Sequence, residues 1–127
     1  MKRVVLTAAF AAVALGCADP EARGKLSILQ QEIFTPSCAQ AGCHSGAAPQ
    51  AALDLTDGSS YFSLVNVAST LVPGSMRVVP GDPAASMLFQ SVQGTAPFQR
   101  MPYLQQPLPQ ADIEAIAAWI LAGAPDD

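Results

Sequence analysis

The sequence predicts an all-α domain of four to five short helices, with a long proline-rich loop before the last of them. Three observations carry that expectation. Ile113, Ile116, Ala117 and Ile120 recur at the i, i+3, i+4, i+7 spacing of a buried helical face. No run alternates apolar and polar residues over the length of a strand. Between Gly94 and Pro109 stand Pro97, Pro102, Pro107 and Pro109, which exclude regular helix and central strand alike.

Taken in order, the chain of 127 residues begins with Lys2 and Arg3 ahead of an apolar run from Val4 to Leu15. That run falls short of the roughly 20 apolar residues that span a bilayer, and Ala14-Leu15-Gly16-Cys17 follows it. Residues 1–16 therefore read as an export signal whose end resembles a bacterial lipobox, making Cys17 the lipidated first residue of the mature chain. Ala14 and Leu15 depart from the usual lipobox residues, and ordinary cleavage near Ala18 is the alternative. Both readings export the protein, to the periplasm or to the outer membrane as a lipoprotein held on the bilayer by its lipid.

Residues 17–25 read as a tether and 26–124 as one folded domain. Leu26, Leu29 and Ile33, with Ile28 and Phe34 beside them, predict a short amphipathic helix that ends before Pro36. Residues 37–50 form a loop punctuated by Gly42, Gly46 and Pro49. A second helix is expected over residues 57–67, with Asp57 or Ser59 as N-cap and Tyr61, Leu64 and Val65 on one side. The pairs Pro73-Gly74 and Pro80-Gly81 call for turns. Asp82-Pro83 has the form of a helix start, predicting a helix from Pro83 to about Val92 with Met87, Leu88 and Val92 facing inward. The terminal helix runs from Gln110 to Leu121, and Gly123 is placed to stop it.

Composition narrows the function. Half the residues are hydrophobic, but only five Phe, two Tyr and one Trp are aromatic, so the core is thin and an inserted apolar cofactor would help fill it. From Cys17 onward four bases stand against ten acids, a net charge of −6. Nucleic acid is a poor partner for such a surface, because neutralising phosphates needs clustered Lys and Arg. A protein with a basic docking patch suits it, although an acidic surface also serves solubility alone.

The chemistry concentrates in Cys38-Ala39-Gln40-Ala41-Gly42-Cys43-His44. Two thiols followed directly by an imidazole is the order that covalent haem attachment needs: the thiols add to the vinyl groups on one edge of the porphyrin, and the histidine binds iron from below. The usual spacer is two residues, whereas this one has four and must bulge from the ring, a conformation Gly42 would ease.

These residues belong to a wider pattern. Ile33-Phe34-Thr35-Pro36-Ser37-Cys38, Gly42 to Gly46, Val79-Pro80-Gly81-Asp82-Pro83 with Ser86, Met101-Pro102, and Ile113 to Ala124 together resemble the single-haem cytochrome c domains of bacterial lipoproteins, akin to the planctomycete-type cytochrome c group. The resemblance spans roughly residues 26 to 124. It implies a class I cytochrome c fold around one covalent haem c, with the first and last helices crossing beside it, and an electron carrier rather than an enzyme. Redox partner proteins are then expected, and no small-molecule substrate.

His44 is the only histidine, so the second axial ligand must come from elsewhere. Met101 matches the family's methionine-proline ligand position. Met76 is the alternative if its loop folds over the haem, an open or water-bound iron is another, and Met87 is expected as core filler. Arg100 is a candidate partner for a haem propionate, or else a solvent-facing residue. The other nitrogen of His44 needs an acceptor, for which a backbone carbonyl near Pro49 is expected. Two competing functions remain: a non-redox lipoprotein interaction domain with a Cys38–Cys43 disulfide, and a haem peroxidase or ligand sensor with an open iron site. Zinc is weaker, because Cys38, Cys43 and His44 leave a fourth ligand unsupplied. No Ser/His/Asp set and no phosphate-binding glycine loop is present.

Overall fold

The computed structural model describes residues 19–127. The expected export signal over 1–16 and the expected lipidation site Cys17 lie outside the described residues. Helix α1, Pro20–Arg23, starts at Asp19, whose Oδ1 accepts the Glu21 N–H at 3.0 Å. Residues 19–25, read from sequence as part of a tether, are instead built into the domain. Gly24 is buried against helix α5, Gln110–Leu121, so closely that a β-carbon there would lie 3.0 Å from Ala118 Cβ and 3.1 Å from the Trp119 nitrogen. Only glycine permits that approach. Beside it the Arg23 guanidinium joins Glu32 at 2.7 Å and Asp112 at 2.8 Å, pinning α1 to α5.

Helix α2, Leu26–Leu29, runs directly into a π-helical segment, Gln30–Cys38. The expected stop before Pro36 does not occur. In the wider turn each N–H reaches the fifth carbonyl back, as Ala39 does to Phe34 at 2.7 Å, so the carbonyl spacing that excludes proline from an α-helix interior is relaxed. Leu26, Leu29, Ile33 and Phe34 are buried as their spacing suggested. Gln30 is buried too, and fully bonded: its amide donates to the Leu55 carbonyl at 2.9 Å and accepts from Ser60 Oγ at 2.6 Å. That one side chain ties the central loop to the first helices.

Helix α3 covers only Ser60–Leu64, shorter than the expected 57–67. Val65 is extended and Asn66 left-handed (φ 57°), and the chain then pairs backbone groups in isolated bridges, Val65 with Val78 and Ala68 with Met76. Helix α4, Met87–Gln93, begins later than the expected Pro83. Asp82 does cap, but it caps a turn: its Oδ1 accepts the Ala85 N–H at 3.0 Å, while Ser86 Oγ donates to the Asp82 carbonyl at 2.7 Å and accepts the Val79 N–H at 2.9 Å. Those bonds hold residues 82–86 out of the helix. Helix α5 has the expected bounds, with Ile113, Ala115, Ile116, Trp119 and Ile120 buried, and Gly123 (φ 98°) follows its end.

The architecture is all-α: among the described residues there is no strand. Helices α1, α2 and α4 all pack on α5, around a core that includes the fully buried Trp119, Phe34, Leu29 and Ile116. Residues 94–109 are irregular, as their prolines require. Among the described residues no helix is long and apolar enough to cross a membrane.

Candidate cofactor site

Cys38 ends the π-helical segment, and the four residues after it fold into a defined loop. Gln40 Nε2 donates to the Thr35 and Pro36 carbonyls at 2.8 and 3.0 Å, satisfying acceptors left open at the helix end. Cys43 N–H returns to the Gln40 carbonyl at 2.9 Å and His44 N–H to the Cys38 carbonyl at 3.2 Å, with Gly42 (φ 80°) turning the chain between them. The longer spacer thus brings the imidazole-bearing residue back onto the first cysteine. Both thiols are free, not joined in a disulfide.

His44 Nδ1 lies 3.2 Å from the Gln50 carbonyl, next to Pro49. A carbonyl can only accept, so Nδ1 carries the proton and Nε2 keeps its lone pair. Burial pushes the imidazole pKa below its ordinary value and the positive charge of Arg77 adds to this, while the Leu53 and Gln50 carbonyls partly offset it. The ring is therefore held neutral near pH 7, as a metal ligand must be. Burial, and secondly the neighbouring Cys43, pushes the Cys38 thiol up to about 12.

These three residues line a cavity of about 460 Å³, within the size range of small-molecule and cofactor sites. Its wall is mainly apolar, with Leu55, Leu64, Val92 and Phe98 contributing. Met101 lines it as well, its backbone N–H fixed to the Ser91 carbonyl at 3.0 Å, so the proline-rich loop is fastened to α4 at that residue. Met87, expected as core filler, is buried and also faces the cavity.

Two other residues named from sequence lie elsewhere. Met76 does not line the cavity, and its backbone instead bridges Ala68 and Ser86. Arg100 does not line it either; its guanidinium covers Gly94 at the end of α4, where a cation suits the helix dipole. Trp119 belongs to the core, and its indole N–H donates to the Pro125 carbonyl at 2.8 Å.

The residue that sequence reasoning missed is Arg77, the one charged side chain on the cavity wall among the described residues. It is only 8 % exposed, yet no carboxylate pairs with it. Three neutral carbonyls hold it: Ser63 at 2.8 Å, Ala51 at 2.7 Å and Ala52 at 3.2 Å. Burial lowers its pKa from the ordinary arginine value. The one sequence signal was its position inside the apolar run of Met76, Val78 and Val79, where a buried cation needs partners.

Among the described residues no three His, Cys, Asp or Glu side chains are grouped to chelate a bare metal ion. No family model matches this chain, and no curated protein or solved structure is significantly similar to it.

Proposed function

We propose that this chain is a monohaem c-type cytochrome that carries electrons in the cell envelope, anchored to the membrane through lipid on Cys17. The observation that carries this reading is the convergence of Cys38, Cys43, His44 and Met101 on one mainly apolar cavity of about 460 Å³. A porphyrin needs that combination: an apolar slot, two thiols at one end, an imidazole with a free Nε2 and a thioether. The packing of α1 and α2 on α5 supports a class I cytochrome c arrangement for the helices.

Each residue has a defined task in this reading. Cys38 and Cys43 would hold the haem covalently, since a thiol can add its S–H across a vinyl double bond, sulfur to one carbon and hydrogen to the other, with no external oxidant. His44 would hold the haem iron through Nε2, and the Gln50 carbonyl fixes its tautomer. Met101, on the same cavity wall, would hold that iron through its thioether sulfur, a donor that favours the ferrous state. The bound haem would contribute a one-electron ferrous/ferric couple. Arg77, in place of Arg100, is the cavity cation available to a haem carboxylate. Leu55, Leu64 and Val92 give the slot an apolar wall. The acidic surface then favours a redox partner that presents a basic patch.

The test is expression in a host that attaches haem c during export, followed by a spectrum after denaturation and a mass measurement of the mature chain. The expected product keeps its haem band in denaturant and has gained the mass of one haem and of the lipid. Replacing Cys38 and Cys43 by Ala abolishes the retained band, and Met101→Ala converts a low-spin spectrum to high-spin. A colourless product carrying a Cys38–Cys43 disulfide would instead support the interaction-domain alternative.

A further inference from the structure

We infer that Arg77 is a positioning residue for His44: it clamps the left-handed Ala51–Ala52 turn and thereby holds the Gln50 carbonyl on the imidazole Nδ1. Its purpose rests on the haem reading above, whereas the clamp itself consists of hydrogen bonds within the chain.

The reasoning starts from backbone conformation. Ala51 (φ 57°) and Ala52 (φ 52°) are consecutive left-handed residues, and neither is glycine or asparagine. Such conformations persist where the surroundings over-determine them. Here two side-chain donors add to the turn's own backbone bonds, Ala52 N–H to the Pro49 carbonyl at 3.0 Å and Leu53 N–H to the Gln50 carbonyl at 3.1 Å. One guanidinium nitrogen of Arg77 bridges the Ala51 and Ala52 carbonyls at 2.7 and 3.2 Å, and Thr70 Oγ1 donates to the Ala51 carbonyl at 2.9 Å.

The clamp is itself rigid. Arg77 N–H donates to the Val67 carbonyl at 2.7 Å, its carbonyl accepts from Leu88 N–H at 3.0 Å, and its other terminal nitrogen holds the Ser63 carbonyl at 2.8 Å. Immediately before the clamped alanines, Gln50 is fixed at both ends: its N–H donates to the Cys43 carbonyl at 2.8 Å, and its carbonyl meets His44 Nδ1 at 3.2 Å. A short path therefore leads from Arg77, through the turn, to the imidazole. An acceptor on Nδ1 fixes the ring's tautomer and orientation and raises the basicity of Nε2. The planar fork reaches the Ser63 carbonyl with one terminal nitrogen and the Ala51–Ala52 turn with the other, whereas a lysine ammonium is a point donor on a flexible stem and cannot span both.

The experiment uses the full exported chain, ¹⁵N-labelled and reduced, as wild type and as Arg77→Lys and Thr70→Val. Arg77→Lys keeps the charge and removes the fork; Thr70→Val removes the second donor. The readouts are deuterium exchange of the His44 Nδ1–H and the reduction potential. Expected in Arg77→Lys is exchange up to about tenfold faster, the factor that corresponds to the net contribution of one hydrogen bond, with a raised potential because His44 donates less electron density. Thr70→Val should move both in the same direction by less, and it decides alone if Arg77→Lys does not fold. Unchanged exchange and potential, with only a lowered Tm, would overturn the inference and leave Arg77 as a stability residue. Should the chain carry no haem, the haem reading fails separately. The imidazole ¹⁵N shifts still report which nitrogen bears the proton: the variants should then shift population toward Nε2–H, and an unmoved population would overturn the clamp.

Discussion

Around α5, the fully buried side chains of Trp119, Ile116 and Ile120 belong to one core with Phe34, Leu29 and Ile33, on helices whose backbone groups largely satisfy one another. The cavity shares Leu55, Leu64 and Val92 with that core, but the rest of its wall is largely loop, and around it lie isolated bridges, two left-handed alanines in succession and a buried arginine without a counter-ion. Each left-handed alanine costs about 1–2 kcal/mol. The contrast teaches where stability is generated and where it is consumed. The helical side buries apolar surface with little polar cost, so the loop side can hold a buried cation and strained backbone without unfolding the domain.

Three measurements sharpen or break this division. The largest effect is expected at its centre, where Trp119→Ala should lower unfolding stability by about 3–5 kcal/mol in urea titrations. At the cavity mouth, Leu71 is 56 % exposed, and Leu71→Ala should stay within about 0.5 kcal/mol. Comparable losses at both positions would break the division.

The second measurement concerns Cys38, which stands where the two sides meet. In chain made without haem attachment, its rise from the ordinary 9.0 to about 12 reflects burial first and the charge of Cys43 second. At pH 8.5 its thiolate population, and with it iodoacetamide labelling, should fall roughly a thousandfold below that of an ordinary cysteine. Because the folded value is the raised one, the neutral thiol's stabilising contribution is present below pH 9 and is lost as pH rises toward 12. Mass spectrometry of timed alkylations reads this directly, and rapid labelling at pH 8.5 would show the site to be open.

The smallest effect is expected at Arg23, which joins α1 to Glu32 and Asp112 with side chains that are partly exposed. Arg23→Ala should cost about 1 kcal/mol or less, and the difference should shrink in high salt. A larger loss would make the start of the domain as important as its core.

What was legible in the sequence follows the same division. The terminal helix could be read because Ile113, Ile116 and Ile120 keep one period, with Gly123 after its end. Cys38, Cys43 and His44 stood out because they are close together in the chain, and Met101 because of the motif around it; what the structure adds is that all four line one cavity. The π-helical segment was not legible, since Pro36 ordinarily ends a helix and nothing local announces the wider turn that admits it. The start of α4 was misread because Asp82 and Ser86 spend their capping bonds on a turn. Arg77 and the Ala51–Ala52 turn were illegible for a deeper reason: neither residue type signals its conformation, and their partners are 14 to 26 positions away.

If Cys17 carries the lipid proposed above, the docking of α1 on α5 also sets how far the protein could travel from that anchor. With Cys17 lipidated, Ala18 alone separates it from the Asp19 cap, and two extended residues reach about 7 Å. That leash is shorter than the roughly 13 Å radius of gyration of a domain of this size. Such a protein would ride against the bilayer with little freedom to sweep through the envelope, and its partners would have to come to the membrane surface to meet it.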